Sequence, residues 1–384
     1  MLRDEAKLEN LLNEVRDWVK EVAIPNEDRV ANEDRVPDEI VDQMRQKGFF
    51  GWSVPEEFGG SGLTGEELVA AALELSQCSP AFRARVGTNT GIGSGAVIVA
   101  GTEEQKAIYL PKIASGQMTG CFALTEPDAG SEATNIKTTA ERDGDDYVLN
   151  GSKCYITNAP IADLFTVFAR SDPNTKGSKG ISAFLVEKGT PGLRAGSPYK
   201  KMGQAGSPVS DVYFENCRVP ASALLGGEEN TAFSVAMKVL NKQRLHLSAL
   251  CIGPAIRMLD EMVAHASKRV QFGKPIAEYQ LVQAMIADSK TEILAATELV
   301  KSTARLWDQG IDTRMEGSAC KYFASEMCSR VADRAVQIFG GAGFVADHSC
   351  IERFYRDTRL FRIYEGTSQI HQLTIAKQVL ARAA

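Results

Sequence analysis

Lys137-Thr138-Thr139-Ala140-Glu141-Arg142-Asp143-Gly144-Asp145-Asp146-Tyr147-Val148-Leu149-Asn150-Gly151 interrupts a chain that otherwise reads as helix. Asp143-Gly144 and Asn150-Gly151 are hairpin-turn dipeptides, because glycine reaches the positive φ that a tight turn demands and Asp or Asn tolerates it. Around them the apolar period is two, and 137–141, 147–150, 164–169, 181–186 and 211–214 are predicted strands. Upstream, Leu8, Leu11, Leu12, Val15, Val19 and Val22 recur at three and four, and Pro25, Pro37, Pro55 and Gly59-Gly60 separate one helix from the next. Downstream, Val282, Met285, Ile286, Ser289, Ile293, Ala296, Val300, Ala304 and Trp307 mark one face of a long helix ending near Gly310. A second long helix runs to about Phe339 and stops at Gly340-Gly341. Helix, sheet, helix predicts a mainly α protein with a central β domain, divided at 1–118, 119–227 and 228–384.

Composition narrows the function. With 384 residues, 44% apolar and 24% charged, the chain is long enough for two or three domains around a large core. A net charge of −6 without a basic block argues against a nucleic-acid partner. No apolar run approaches the roughly 20 residues of a membrane helix. Met1-Leu2-Arg3-Asp4-Glu5 opens a charged amphipathic pattern, not a signal peptide, so a cytoplasmic protein is expected. The eight cysteines form no Cys-x-x-Cys pair and the four histidines show no metal spacing, which favours reduced thiols and no metal. Gly91-Ile92-Gly93-Ser94-Gly95-Ala96 has the Gly-x-Gly-x-x-Ala form of a dinucleotide fingerprint, yet no strand precedes it.

Tyr364-Glu365-Gly366-Thr367 places one acid between an aromatic residue and a glycine among mostly uncharged neighbours. Desolvation raises a carboxylate's pKa toward neutrality, which suits a general base, and the glycine lets a substrate approach the backbone. In isolation, the same string reads first as the start of the last helix, and only its company with other segments overturns that.

Five segments together resemble the acyl-CoA dehydrogenase family, flavoproteins that desaturate acyl thioesters at the α and β carbons. They are Cys121-Phe122-Ala123-Leu124-Thr125-Glu126-Pro127-Asp128-Ala129-Gly130-Ser131, Lys153-Cys154-Tyr155-Ile156-Thr157-Asn158, Arg269-Val270-Gln271-Phe272-Gly273, Gln337-Ile338-Phe339-Gly340-Gly341-Ala342-Gly343-Phe344 and the Glu365 segment. The resemblance implies a barrel-like middle sheet and a C-terminal four-helix bundle, with Glu365 as α-proton base. Its backbone N–H would serve in an oxyanion hole. It further implies that Phe122, Leu124, Thr125, Gly130, Ser131, Tyr155 and Thr157 contact FAD, with Tyr155 at a position often held by tryptophan. Arg269, Gln271, Phe272, Gln337, Gly340 and Gly341 would reach the FAD of a neighbouring subunit in a homotetramer built as a dimer of dimers, and Thr367 and Gln369 the adenosine and pyrophosphate part. Ser131, Asn241, Arg244, Tyr364 and Gly366 would contact substrate. Where some relatives carry the base before the matched Arg244, this chain has Gln243, and an amide cannot serve.

The implied activity is FAD-dependent dehydrogenation of an acyl-CoA to the trans-2-enoyl-CoA, with electrons passed to an electron-transfer flavoprotein. The alternatives are a flavin oxidase or monooxygenase of the same fold, or a non-catalytic acyl-CoA-binding subunit. Gly91, Gly93 and Gly95 admit two readings, close helix packing or room for a medium, long or branched acyl group.

Overall fold

The computed structural model describes residues 3–383. Seven helices come first: α1 (Glu5–Trp18), α2 (Glu27–Glu33), α3 (Asp38–Gln46), α4 (Gly65–Leu75), α5 (Pro80–Gly87), α6 (Ile92–Ala100) and α7 (Glu103–Ala114). α4 and α7 each open with a capping box, Thr64 with Glu67 and Thr102 with Gln105, which satisfies otherwise orphaned N–H groups. Both caps also fasten tertiary structure. Glu67 binds the Arg3 guanidinium at 3.0 Å, and Gln105 Nε2 donates to the carbonyls of Ser222 and Leu224 at 2.9 and 2.8 Å.

The middle of the chain forms a curled sheet of β1 (Gly120–Ala123), β2 (Thr139–Asp143), β3 (Asp146–Thr157), β4 (Leu164–Arg170), β5 (Ile181–Glu187), β6 (Leu193–Ala195) and β7 (Val209–Pro220). Its order is β1-β4-β2-β3-β7-β6, with β5 also paired to β4. β1 and β2 both run parallel to β4, whereas β5 is antiparallel to it. Alternate residues serve two cores. Leu164 and Phe168 of β4, with Ile181, Ala183 and Leu185 of β5, pack against α6 and α7, while Phe165, Val167, Phe184 and Val186 point into a core that the sheet curls around. Because both faces are buried, these strands read as continuous apolar runs.

The hairpin turn at Asp143-Gly144 is present, with Gly144 at φ +64° and Asp143 paired to Asp146. Asn150-Gly151 is not a turn. It lies inside β3, where the register against β7 shifts between Leu149 and Gly151. The glycine answers to crowding, since a Cβ there would stand 2.6 Å from Thr138 Oγ1. β1 escaped the periodicity because its four residues are all buried and so do not alternate in polarity.

The C-terminal helices are α8 (Ala232–Lys268), α9 (Gln280–Asp308), α10 (Arg314–Phe339), the short α11 (Gly341–Phe344) and α12 (Ile351–Thr358), and α13 (Ser368–Ala383). Central α10 packs on α8, α9 and α13 to make the four-helix bundle. α9 and α10 stop where glycines at positive φ follow, Gly310 at +75° and Gly340 at +59°. A β-hairpin of β8 (Val270–Gln271) and β9 (Lys274–Pro275) separates α8 from α9. Among the described residues, no helix is long and apolar enough to cross a membrane.

Candidate active site

A cavity of about 440 Å³ opens where the three parts of the chain meet. One wall is helical: Arg83, Ala84 and Gly87 of α5, Thr88, Ile92 of α6, and Phe233, Met237, Leu240 and Arg244 of α8. A second comes from the sheet: Phe122, Leu124 and Thr125 at the end of β1, the loop Gly130–Thr134, and Tyr155, Ile156 and Thr157 of β3. Tyr364, Glu365, Gly366 and Ile370 complete the lining with Gln204, Ser207 and Val209. The strand period of two explains the sheet wall, because Cys121 and Ala123 enter the sheet's own core and leave Phe122 and Leu124 facing the helices.

A buried ion pair, unforeseen from sequence, clamps the two segments of the sheet wall together. Lys153 is 0% exposed and Glu126 5%, with Nζ 2.6 Å from Oε1. Glu126 also accepts the N–H groups of Lys137 and Thr138 and the Thr138 hydroxyl, while Lys153 donates to the Leu124 carbonyl at 3.3 Å. Cys154 N–H donates to the Thr125 carbonyl at 2.9 Å. Burial raises the Glu126 pKa, but the Lys153 charge and these hydrogen bonds outweigh it and hold the carboxyl below its ordinary value. Burial pulls Lys153 down to about 8, still protonated at neutral pH. Beyond the clamp, a second register shift between Lys153 and Ile156 puts Tyr155 at φ +58° and leaves it 70% exposed at the cavity, its ring 5.6 Å from that of Tyr199.

Glu365 sits on a turn between the 3₁₀ segment Arg359–Arg362 and α13, at φ +52°, a left-handed conformation rare outside glycine. Gly366 follows at φ +96°. Three contacts secure the turn. Buried Lys321 donates to the Gly366 carbonyl at 2.6 Å, and Arg362 and Ser368 both bind Glu326 Oε1, at 2.8 and 2.6 Å. Buried His371 packs beneath, close enough that a Cβ on Gly366 would lie 3.0 Å from its Nε2. Glu365 Oε2 is buried without a hydrogen-bond partner. Burial drives its pKa upward, and the charges of Arg83, Lys321 and Arg244, in that order, only partly oppose the rise. The Glu365 backbone N–H makes no hydrogen bond among the described residues. An unpaired, pKa-raised carboxylate beside a free N–H can take a proton from a bound molecule and stabilise a developing oxyanion.

The lining therefore gathers Glu365, Phe122, Leu124, Thr125, Gly130, Ser131, Tyr155, Thr157, Arg244, Tyr364 and Gly366. Asn241, expected to touch substrate, lies outside it and holds Arg244 instead, accepting from Nη1 at 2.8 Å one helical turn away. Thr367 and Gln369 also lie outside, and Thr367 Oγ1 caps α13 by accepting the Ile370 N–H at 3.3 Å. Arg269, Gln271, Phe272, Gln337, Gly340 and Gly341 are exposed and line no part of this chain's cavity. They share one end of the bundle, where His265 of α8 stacks on Phe339 of α10 at 4.1 Å. The glycines of α6 do not line the cavity either. A Cβ on Gly93 would stand 2.8 Å from the Gly120 carbonyl carbon, and one on Gly95 2.8 Å from Val239 Cγ1, so these glycines let α6 touch β1 and α8. The expectation of a medium, long or branched acyl group gains no support from them.

FAD fits the sheet wall. Thr125 and Thr157 line the cavity, their hydroxyls make no protein hydrogen bond among the described residues, and a Cβ on Gly130 would meet nothing within 4 Å.

The sequence matches the family descriptions "Acyl-CoA dehydrogenase, N-terminal domain" over residues 5–117, "middle domain" over 121–217 and "C-terminal domain" over 230–380. The 3-(aryl)acrylate reductase of Clostridium sporogenes is 41% identical over 365 residues, covering 95% of this chain and 96% of that protein. The caffeyl-CoA reductase-Etf complex subunit CarC of Acetobacterium woodii is 40% identical over 363 residues, 94% of this chain and 95% of that one. The structure of butyryl-CoA dehydrogenase from Megasphaera elsdenii superposes with a TM-score of 0.94 at 32% identity, covering 99% of this chain and 100% of that one.

The clamp yields a test. Lys153→Met leaves Glu126 buried and uncompensated, and should cost about 3–5 kcal/mol in denaturant unfolding. Adding Glu126→Gln should recover most of the loss. A single-variant effect within about 0.5 kcal/mol of wild type, as for an ordinary surface change, would refute the clamp.

Proposed function

This chain belongs to the acyl-CoA dehydrogenase family, and on that premise we propose that Glu365 removes the α-proton of an acyl-CoA thioester as an α,β double bond forms. The protein is an FAD-dependent oxidoreductase acting on a CH–CH bond. The observation that carries the assignment of the base is the buried, unpartnered Oε2 of Glu365 at the cavity. An α-hydrogen next to a thioester is only weakly acidic, so the base must be desolvated and the enolate oxygen must meet a donor. Glu365 supplies the first with its carboxylate and the second with its own free N–H. FAD, when bound, supplies the hydride acceptor that no side chain offers. Phe122, Leu124, Thr125, Gly130, Ser131, Tyr155 and Thr157 would hold it against the sheet.

Electrons pass to an electron-transfer flavoprotein, a reading supported by the relative named as a subunit of a reductase-Etf complex. Two of the relatives are named as reductases, which favours a second reading: the same residues run the reaction toward the saturated thioester, Glu365 then returning the proton. Anaerobic mixing separates the directions. The half-reaction is reversible in both cases, so the readout is its poise: a dehydrogenase comes to equilibrium with saturated acyl-CoA largely bleached, whereas a reductase comes to equilibrium with its flavin largely oxidised.

The chain also assembles, most simply as a homotetramer, so that the bundle-end hairpin reaches a neighbour's FAD. Phe272 and Phe344 at that end are 96% and 82% exposed in the single chain, far more than large aromatic groups usually leave to water.

Glu365→Gln should retain bound FAD and thioester while losing roughly 10²- to 10⁴-fold in the rate of flavin bleaching. Wild-type bleaching would remove Glu365 from its role. The acid side of the same rate profile tests the turn. Glu365 works only when ionised, so bleaching slows as pH falls through its pKa, and Lys321 is one of the charges holding that pKa down. Burial pulls Lys321 to about 8, so it is charged below that pH. Lys321→Met should therefore shift the acid limb to higher pH; an unmoved limb would show that Lys321 only props the backbone. For the assembly, Phe272→Glu should give smaller species that shed FAD, seen by sedimentation with flavin absorbance. A wild-type sedimentation profile with full flavin content would contradict it.

A further inference from the structure

Arg83 is a cation with no hydrogen-bonded partner among the described residues. On α5 its neighbour Arg85 turns away, donating to Thr119 Oγ1 at 3.1 Å and lying over the Phe50 ring. Arg83 instead lines the cavity. Its guanidinium rests across the bare backbone of Gly87, where a Cβ would stand 3.1 Å from Nε and 3.2 Å from Cζ, so a glycine one turn on makes its berth. Nε is buried and unpartnered, and Arg83 makes no hydrogen bond or ion pair among the described residues. The other cations of the site are engaged, Arg244 with Asn241 and Ser318 and Lys321 with the Gly366 carbonyl. The lining has only two acids: Glu132 is exposed, and Glu365 is required as a base.

The half-buried side chain keeps its Nε–H out of water without an acceptor, a donor left unpaired until something in the cavity meets it. Ile92, Phe233, Met237 and Leu240 would alone suit a plain alkyl chain, so Arg83 calls for something more. We propose that Arg83 receives a carboxylate at the far end of the acyl group, making the substrate a short acyl-CoA that carries a terminal acid. The planar guanidinium fork matches a carboxylate with two parallel hydrogen bonds. The acyl chain is short because Arg83 and Glu365 line the same cavity of about 440 Å³, so little length separates the guanidinium from the carbon that Glu365 addresses. This inference rests on the acyl-CoA reading above.

The test compares glutaryl-CoA with pentanoyl-CoA, which differ only in a terminal carboxylate against a methyl group. In wild type, kcat/KM for anaerobic flavin reduction should favour glutaryl-CoA by roughly 10- to 100-fold, the worth of a charge-assisted hydrogen-bonded contact. Arg83→Met should abolish or reverse the preference, and Arg83→Lys should keep part of it. Equal rates in wild type, a preference for pentanoyl-CoA, or an equal loss on both esters in Arg83→Met would overturn the proposal. If neither ester reduces the flavin, the dehydrogenase direction fails for these esters instead. Equilibrium dialysis of both esters against the Glu365→Gln protein then still decides Arg83: tighter binding of glutaryl-CoA sustains it, and equal binding ends it.

Discussion

Keeping a carboxylate out of water without giving it a partner is the constraint on which the site depends. Fully paired, Glu365 would be a structural residue; fully solvated, it would be too weak a base. The chain reaches an intermediate condition by distributing positive charge around the group without bonding any of it to Oε2. Lys321 is spent on the Gly366 carbonyl, and Arg244 is tied to α8 and α10 through Asn241 and Ser318. Their fields reach the carboxylate while their hydrogen bonds go elsewhere, so the base is moderated but left free.

The sheet wall applies the opposite rule. Glu126 and Lys153 are also buried, but they are paired, and the carboxylate is saturated with further donors. A pair this enclosed is weak evidence for stability, since an apolar pair of like volume would often do as well. What it provides is placement: the loop after β1 and the middle of β3 are joined at one point, and both flank the same cavity. One carboxylate positions the wall and the other performs the chemistry, and hydrogen-bonding company separates the two roles.

Much of this was legible in the sequence. The helices α9 and α10 announced themselves through apolar spacing and terminal glycines, and Asp143-Gly144 announced its hairpin, because in each case a local signal sets a local structure. Asn150-Gly151 misled because the same dipeptide satisfies a bulge as readily as a turn, and only the approach of Thr138 distinguishes them. The glycines of α6 left two readings open, and helix packing is the one that fits. A missing side chain marks space that something uses, and whether β1, α8 or a ligand uses it depends on residues distant in the chain. Gln243 and Tyr155 were informative single departures. Lys153 and Lys321, fully buried, and Arg83, with its Nε buried, gave no warning at all, since a lysine or arginine is ordinarily solvated and its burial is a property of the fold.

The positive φ of Glu365 carries one more consequence. A left-handed backbone costs a non-glycine residue roughly 1–2 kcal/mol, and the residue that would relax it, glycine, stands one place further on. The fold therefore holds a tension at its reactive point that a less active sequence would discharge. A glycine in place of the acid would relieve the backbone and remove the carboxylate together, so at this position stability and reactivity pull in opposite directions.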